Sequence, residues 1–133
     1  MMRQDHRKLS VSALVEQFAK LAERLSEVNF ELVSPMDMPG RDEFVAESEQ
    51  LYAALKAIDS ELRLRGRQAR LALTRLYDSP NLEVRLQAAH STLGVAPDAA
   101  RDQLEAIAKT SWMEGISART TLAALDKGTF KPN

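Results

Sequence analysis

Two stretches of this chain carry the same apolar spacing. Leu14, Phe18, Leu21, Leu25, Val28 and Leu32 step by 4, 3, 4, 3 and 4 residues, a rhythm that only an α-helix brings onto one face. Phe44, Ser48, Leu51, Leu55, Ile58 and Leu62 repeat it. Ser10 or Ser12 can cap the first helix, predicted over about residues 11–32. Pro35 and Pro39 forbid its continuation, and Gly66 is a C-terminal stop for the second helix. The loop from Val33 to Gly40 is expected to fold Met36 and Met38 back onto the core. Consecutive helices on a short connection are neighbours, so the two seams are expected to close on each other as an antiparallel hairpin. The same seam can also receive a helix of a second copy.

Beyond Gly66 the predicted helices shorten. Ala69, Leu73 and Leu76 mark a third, and Asp78-Ser79-Pro80-Asn81 is a turn that offers a cap to a fourth, Leu82 to Leu93, ended by Gly94. Pro97 and Asp98 restart the chain, Ala100, Leu104, Ile107 and Ala108 give the fifth helix its buried stripe, and a sixth runs from about Ser117 to Leu125, closed by Gly128. No stretch longer than a few residues alternates with period two, so the chain is predicted to be all α, with about six helices and no sheet. Its 133 residues and 44% hydrophobic content suit one core. The domain is expected over residues 10–128, between tails at 1–9 and 129–133. Leu21, Leu55, Leu73, Leu93 and Leu104 are expected inside it.

Composition removes several functions. With no Cys there is no disulfide scaffold, thiolate metal site or Cys nucleophile. A net charge of −1 argues against holding nucleic acid by overall positive charge. No apolar run approaches a membrane span and no leader stands at the start, so the expected location is the cytoplasm, with no membrane partner.

Laying Leu82–Leu93 over Glu114–Leu125 pairs Val84 with Ile116, Leu86 with Ala118 and Leu93 with Leu125, at an offset of 32 residues. Helical hairpins recurring at such a period mark an α-solenoid. The segment Leu76 to Gly94 resembles a HEAT-like repeat, with Val84, Arg85, Ala88, Ala89 and Leu93 at the positions of its second helix. Together with Leu14-Val-Glu-Gln-Phe18 and Val95-Ala-Pro-Asp-Ala-Ala100, the chain resembles a family of small uncharacterised bacterial proteins with a HEAT/armadillo-like fold. The resemblance implies a short α-α superhelix built on a long N-terminal hairpin. It departs from the repeat pattern at Ser79, where an Asp is usual, and at Ser117, where an Arg is usual. Stacking is therefore expected to rest on apolar contact rather than on an Asp–Arg ladder.

The supply of catalytic groups is thin. His6 lies in the charged N-terminal tail, and His90 has no His or acid at the i±3 or i±4 spacing of a metal site on one helix, which favours a structural or exposed histidine. No catalytic residue, metal or cofactor is assigned, and the chain is not read as an enzyme. Residues 33–62 hold seven acids, Asp37, Asp42, Glu43, Glu47, Glu49, Asp59 and Glu61, against Arg41 and Lys56. Those near residue 42 suit the positive end of the helix dipole, and no EF-hand spacing makes a cation loop of them. Arg63, Arg65, Arg67, Arg70 and Arg75 follow with no acid between residues 62 and 77. Either these arginines bridge to the acidic helix and solvate one face, or they form a recognition patch for carboxylates or phosphates. Trp112 either folds over the end of the core or stands exposed as a binding anchor.

The expected function is a non-enzymatic protein-binding module whose partner, acidic if the arginines are the contact, meets Arg63, Arg65, Arg67, Arg70, Arg75 and Trp112. An immunity or antitoxin-like inhibitor is one role of this kind. The alternative is a nucleic-acid-binding protein using the Arg63–Arg75 stretch, weakened by having only Tyr77 as a neighbouring aromatic.

Overall fold

The computed structural model describes residues 5–33 and 39–133. Met36, Met38 and Asp37, with the expected folding back of the two methionines, lie outside the described residues. Six α-helices run in the order α1 Val11–Leu32, α2 Arg41–Arg65, α3 Arg67–Leu71, α4 Leu82–Thr92, α5 Pro97–Ala108 and α6 Met113–Lys127, and there is no strand among the described residues.

Ser10 caps α1, its hydroxyl accepting from Ala13 N at 3.0 Å. The seam of α1 then packs along α2 as the most extensive helix pair of the fold. A fork from Arg24 to Glu47 at 2.6 and 2.8 Å ties the two helices at the surface. Gly66 separates α2 from α3 at φ 105°, a conformation in which a side chain would clash with its own backbone. The short α3 tightens into a 3-10 helix over Ala72–Asp78, so the third predicted helix is α-helical only in its first part. Asn81 Oδ1 caps α4 by accepting from Glu83 N and Val84 N at 2.9 and 3.1 Å.

Helix α4 is the centre of the molecule. Val84 and Ala88 belong to a core shared with α1, α2 and the 3-10 helix. Leu86, Ala89 and Leu93 belong to a second core with α5 and α6. A helix buried on two sides needs apolar residues around much of its circumference, which is what Leu82 to Leu93 supplies. Leu55, Leu73, Leu93 and Leu104 are buried as expected. Leu21 is only half-buried, and the neighbouring Ala22 takes the inward position; a small residue there lets α1 approach its neighbours closely.

Of the aligned pairs, Leu86 and Ala118 are both buried, Leu93 is buried where Leu125 is half-buried, and Val84 is buried where Ile116 is exposed. Val84 is covered by α1, whereas α6 packs chiefly on α5 and touches α4 only lightly, so Ile116 stays exposed. Arg85 Nε donates to Gln103 Oε1 at 3.1 Å, joining α4 to α5 without an Asp–Arg ladder.

The first and last of the described residues are fastened. Asp5 caps a 3-10 turn over His6–Lys8, Leu9 packs against the core, and Arg65 Nη2 donates to the carbonyls of His6 and Arg7 at 2.9 and 3.3 Å. At the other end Arg63 Nη1 donates to Asn133 O at 3.2 Å. Among the described residues no helix is long and apolar enough to cross a membrane.

Candidate functional site

The five arginines have different surroundings. Arg63 and Arg65 each pair with the acid one turn earlier on α2, Asp59 at 2.7 Å and Glu61 at 2.8 Å, the bridging to the acidic helix that the sequence allowed. Arg75 is exposed and reaches Ser12 Oγ at 3.4 Å. Arg67 is exposed. Arg70 turns inward, donating to Ser91 O at 3.5 Å while its Nε is buried without a partner. Burial lowers its pKa, and Arg63 and Arg67 push the same way against Asp59. Arg67 and Arg75 alone of the five carry no carboxylate partner and stand open to solvent.

His90, half-buried on α4, bonds Thr121 Oγ1 on α6 at 3.0 Å, and burial lowers its pKa. It is a helix-to-helix contact. Among the described residues no three His, Asp or Glu side chains converge as a metal site would require.

Trp112 is 64% exposed. It occupies the N-cap of α6, which starts at Met113, four residues before the predicted start, and the indole gives no capping bond. Ser, Thr, Asp or Asn is the usual choice there, so this position sets helix-end stability aside in favour of an exposed aromatic. Gly115 makes the placement possible. A Cβ on it would overlap the carbonyl of Thr110, so only glycine lets the first turn of α6 lie this close to the end of α5.

Across from Trp112 stand Phe30 and Val33 at the end of α1, 65% and 61% exposed. With Pro80, Leu82 and Met113 they line an open apolar recess of about 420 Å³. Exposed apolar side chains gathered in one concavity mark a binding surface far better than the same residues scattered. A smaller recess of about 190 Å³ continues from it, sharing Met113 and Glu114 and adding Asn29, Tyr52, Glu83, Gln87 and Ser117. A third, of about 340 Å³, shares Tyr52 and Gln87 and ends among Lys56, Asp59, Arg63 and His90. The three form one groove floored by α4, with α1 and α2 on one side and α6 at the mouth on the other.

The groove changes character along its length, from apolar through acidic to a stretch of mixed charge. Its acidic stretch holds Glu83, only 4% exposed, which accepts from Asn29 Nδ2 at 3.2 Å and Gln87 Nε2 at 2.8 Å. Burial raises its pKa; the bond from Gln87 opposes this, Glu114 adds to it, and the bond from Asn29 opposes it again. Of the partner-binding residues expected from sequence, Trp112 and Arg63 line this groove while Arg65, Arg67, Arg70 and Arg75 do not line its recesses; sequence reasoning missed Phe30, Val33, Asn29, Tyr52, Glu83 and Gln87. One signal for Glu83 was available: Glu83, Gln87 and His90 are polar residues at helical spacing on a helix that otherwise enters the core.

No curated protein matches the chain. A protein from Rhodopseudomonas palustris, known from its crystal structure, is 34% identical, and the match covers 98% of this chain and 100% of that one with a TM-score of 0.85. Residues 14–126 match the model of the domain of unknown function DUF2019. With that match over most of its length, and a relative that shares its fold from end to end, the chain belongs to the DUF2019 family.

Proposed function

We propose that this chain is a non-catalytic protein-binding module, a short HEAT/armadillo-like α-α superhelix that receives a partner protein in the groove over α4. The observation that carries this reading is the apolar mouth, where Trp112, Phe30, Val33 and Met113 are exposed together. Aromatic anchors clustered in a concave site are the usual energetic centre of a protein interface. The succession of short helices after the long hairpin, with Leu86 and Ala118 buried at a 32-residue offset, supports the repeat reading, and stacked hairpins generate such grooves. An inhibitor of the immunity or antitoxin kind is a role this architecture suits, because it needs a stable surface and no chemistry of its own. The competing role, nucleic-acid binding through Arg63–Arg75, is supported by exposed Arg67 and Arg75 and opposed by the pairing of Arg63 and Arg65 and the inward turn of Arg70.

The test is retention of binding partners from an extract of the native cell on wild-type chain, on Trp112→Ala and on the double variant Arg67→Glu, Arg75→Glu. The expected result is one protein held by the wild type and the arginine variant at low and high salt, and lost from Trp112→Ala. Retained material that is nucleic acid, released by salt and absent from the arginine variant, would overturn the proposal.

A further inference from the structure

We propose that the acidic recess inside the groove is the receptor for a positively charged side chain, Arg or Lys, carried on a partner helix whose apolar face fills the mouth beside Trp112. This rests on the groove being a protein-binding surface, and adds the chemistry of what it binds.

A carboxylate as deeply buried as Glu83 ordinarily has a cation against it, because losing its hydration is costly. Glu83 has two neutral amides instead, Asn29 and Gln87, and none of the ion pairs among the described residues includes it. The opposite wall adds a second carboxylate, Glu114 in the first turn of α6, which also lacks an ion pair and lines both the acidic recess and the apolar mouth. The positive dipole ends of α4 and α6 offset part of the cost of this arrangement. They do so equally for a first-turn acid pointing into water, and so do not account for two acids turned toward one recess. A single cation entering between them would neutralise both.

The surroundings select the kind of cation. The way in passes Met113 and adjoins the exposed indole of Trp112, surfaces suited to the aliphatic stem of Lys or Arg and to the face of a guanidinium. Apolar mouth and acidic recess share Met113 and Glu114, so one ligand bridges them with an apolar and a basic residue about one helical turn apart. From Glu83 to His90 the floor runs about 10 Å along α4, which two to three turns of a partner helix would cover.

The experiment uses the full chain and three short synthetic helical peptides. All carry the same Phe/Leu stripe, and they differ only at the position one turn beyond it, which is Arg, Gln or Glu. Binding to wild type, Glu114→Gln, the double variant Glu83→Gln, Glu114→Gln, and Trp112→Ala is measured by fluorescence anisotropy, with thermal melts to confirm folding. Glu114 is a partly exposed helix-end residue, so its single variant keeps the test informative should the double variant fold poorly. On wild type the Arg peptide is expected to bind at least about tenfold more tightly than the Glu peptide. That preference should shrink in Glu114→Gln and vanish in the double variant, while Trp112→Ala weakens all three peptides alike. Equal binding of the Arg and Glu peptides, still sensitive to Trp112, would overturn the cation receptor and leave the groove reading standing. Absence of binding by every peptide, or a wild-type dimer in sedimentation that Trp112→Ala dissolves, would overturn both.

Discussion

The imidazole of His90 on α4 lies 3.0 Å from the hydroxyl of Thr121 on α6, so this half-buried histidine bridges two helices that otherwise touch only lightly. This contact sits at the end of the groove beside Lys56 and the Arg63–Asp59 pair and gives stability a dependence on pH. Burial holds the His90 pKa below its ordinary 6.5. Well above 6.5 the ring is neutral in folded and unfolded chains alike. As the pH falls through 6.5 the unfolded chain takes up its proton first, and stability drops until the pH passes the lowered folded value. Thermal melts between about pH 7.5 and pH 5 should show this loss in the wild type and a smaller one in His90→Gln. Parallel curves for the two proteins would contradict it.

Glu83 acts with the opposite sign. Its pKa is raised above the ordinary 4.5, chiefly by burial, so as the pH rises through 4.5 the unfolded chain releases its proton first and the folded state is penalised. The stability of Glu83→Gln relative to wild type should therefore grow from about pH 4 upward and level off once the folded carboxyl has ionised. A difference that is flat with pH would show that the Glu83 carboxylate is no worse solvated when folded than when unfolded.

In the second core Leu93 is 2% exposed and packs with Leu86, Leu104 and Ile107. Leu93→Ala should cost about 2–5 kcal/mol in a denaturant titration, the range for a buried leucine. Leu21→Ala, at a half-buried position, should fall below about 2 kcal/mol. The order of the two values tests the assignment of Ala22 to the inner face.

Arg70 is a charged group whose position does not favour charge, because its Nε is buried without a partner and Arg63 and Arg67 are close. Arg70→Met should be neutral or stabilise by up to about 1 kcal/mol, since apolar replacement of a poorly compensated, partly buried ion is commonly tolerated. Arg67→Glu should stay within about 0.5 kcal/mol of wild type. A large loss in Arg70→Met would mean that its 3.5 Å bond to Ser91 O carries more than its length suggests.

Gly115 fixes where Trp112 stands. A methyl at this position meets the Thr110 carbonyl and hydroxyl, so Gly115→Ala should destabilise by about 1–3 kcal/mol, as overpacking does. Because the first turn of α6 must shift, the tryptophan emission should also change. An unaltered melt and spectrum would show that the α5–α6 connection yields freely.

The helices were legible in the sequence because their signals are local. The 4-3-4-3 spacing, the Ser10 and Asn81 caps and the Gly66 stop act within a few residues, and the bounds of α1 and the buried state of Leu55, Leu73, Leu93 and Leu104 follow from them. Periodicity reports that a face is apolar without saying what covers it. Val84 and Ile116 occupy equivalent places in the pattern, and only the docking of α1 on α4 makes one buried while the other stays open. The groove is tertiary for the same reason. Phe30 in α1, Glu83 in α4 and Trp112 at the cap of α6 are far apart in the chain, and the burial that makes an ordinary first-turn glutamate consequential exists only once those helices have packed. Sequence determined which segments become helices and which residues can enter a core; which polar and aromatic side chains meet across a cleft was decided by long-range packing, a sum over contacts that no local spacing records.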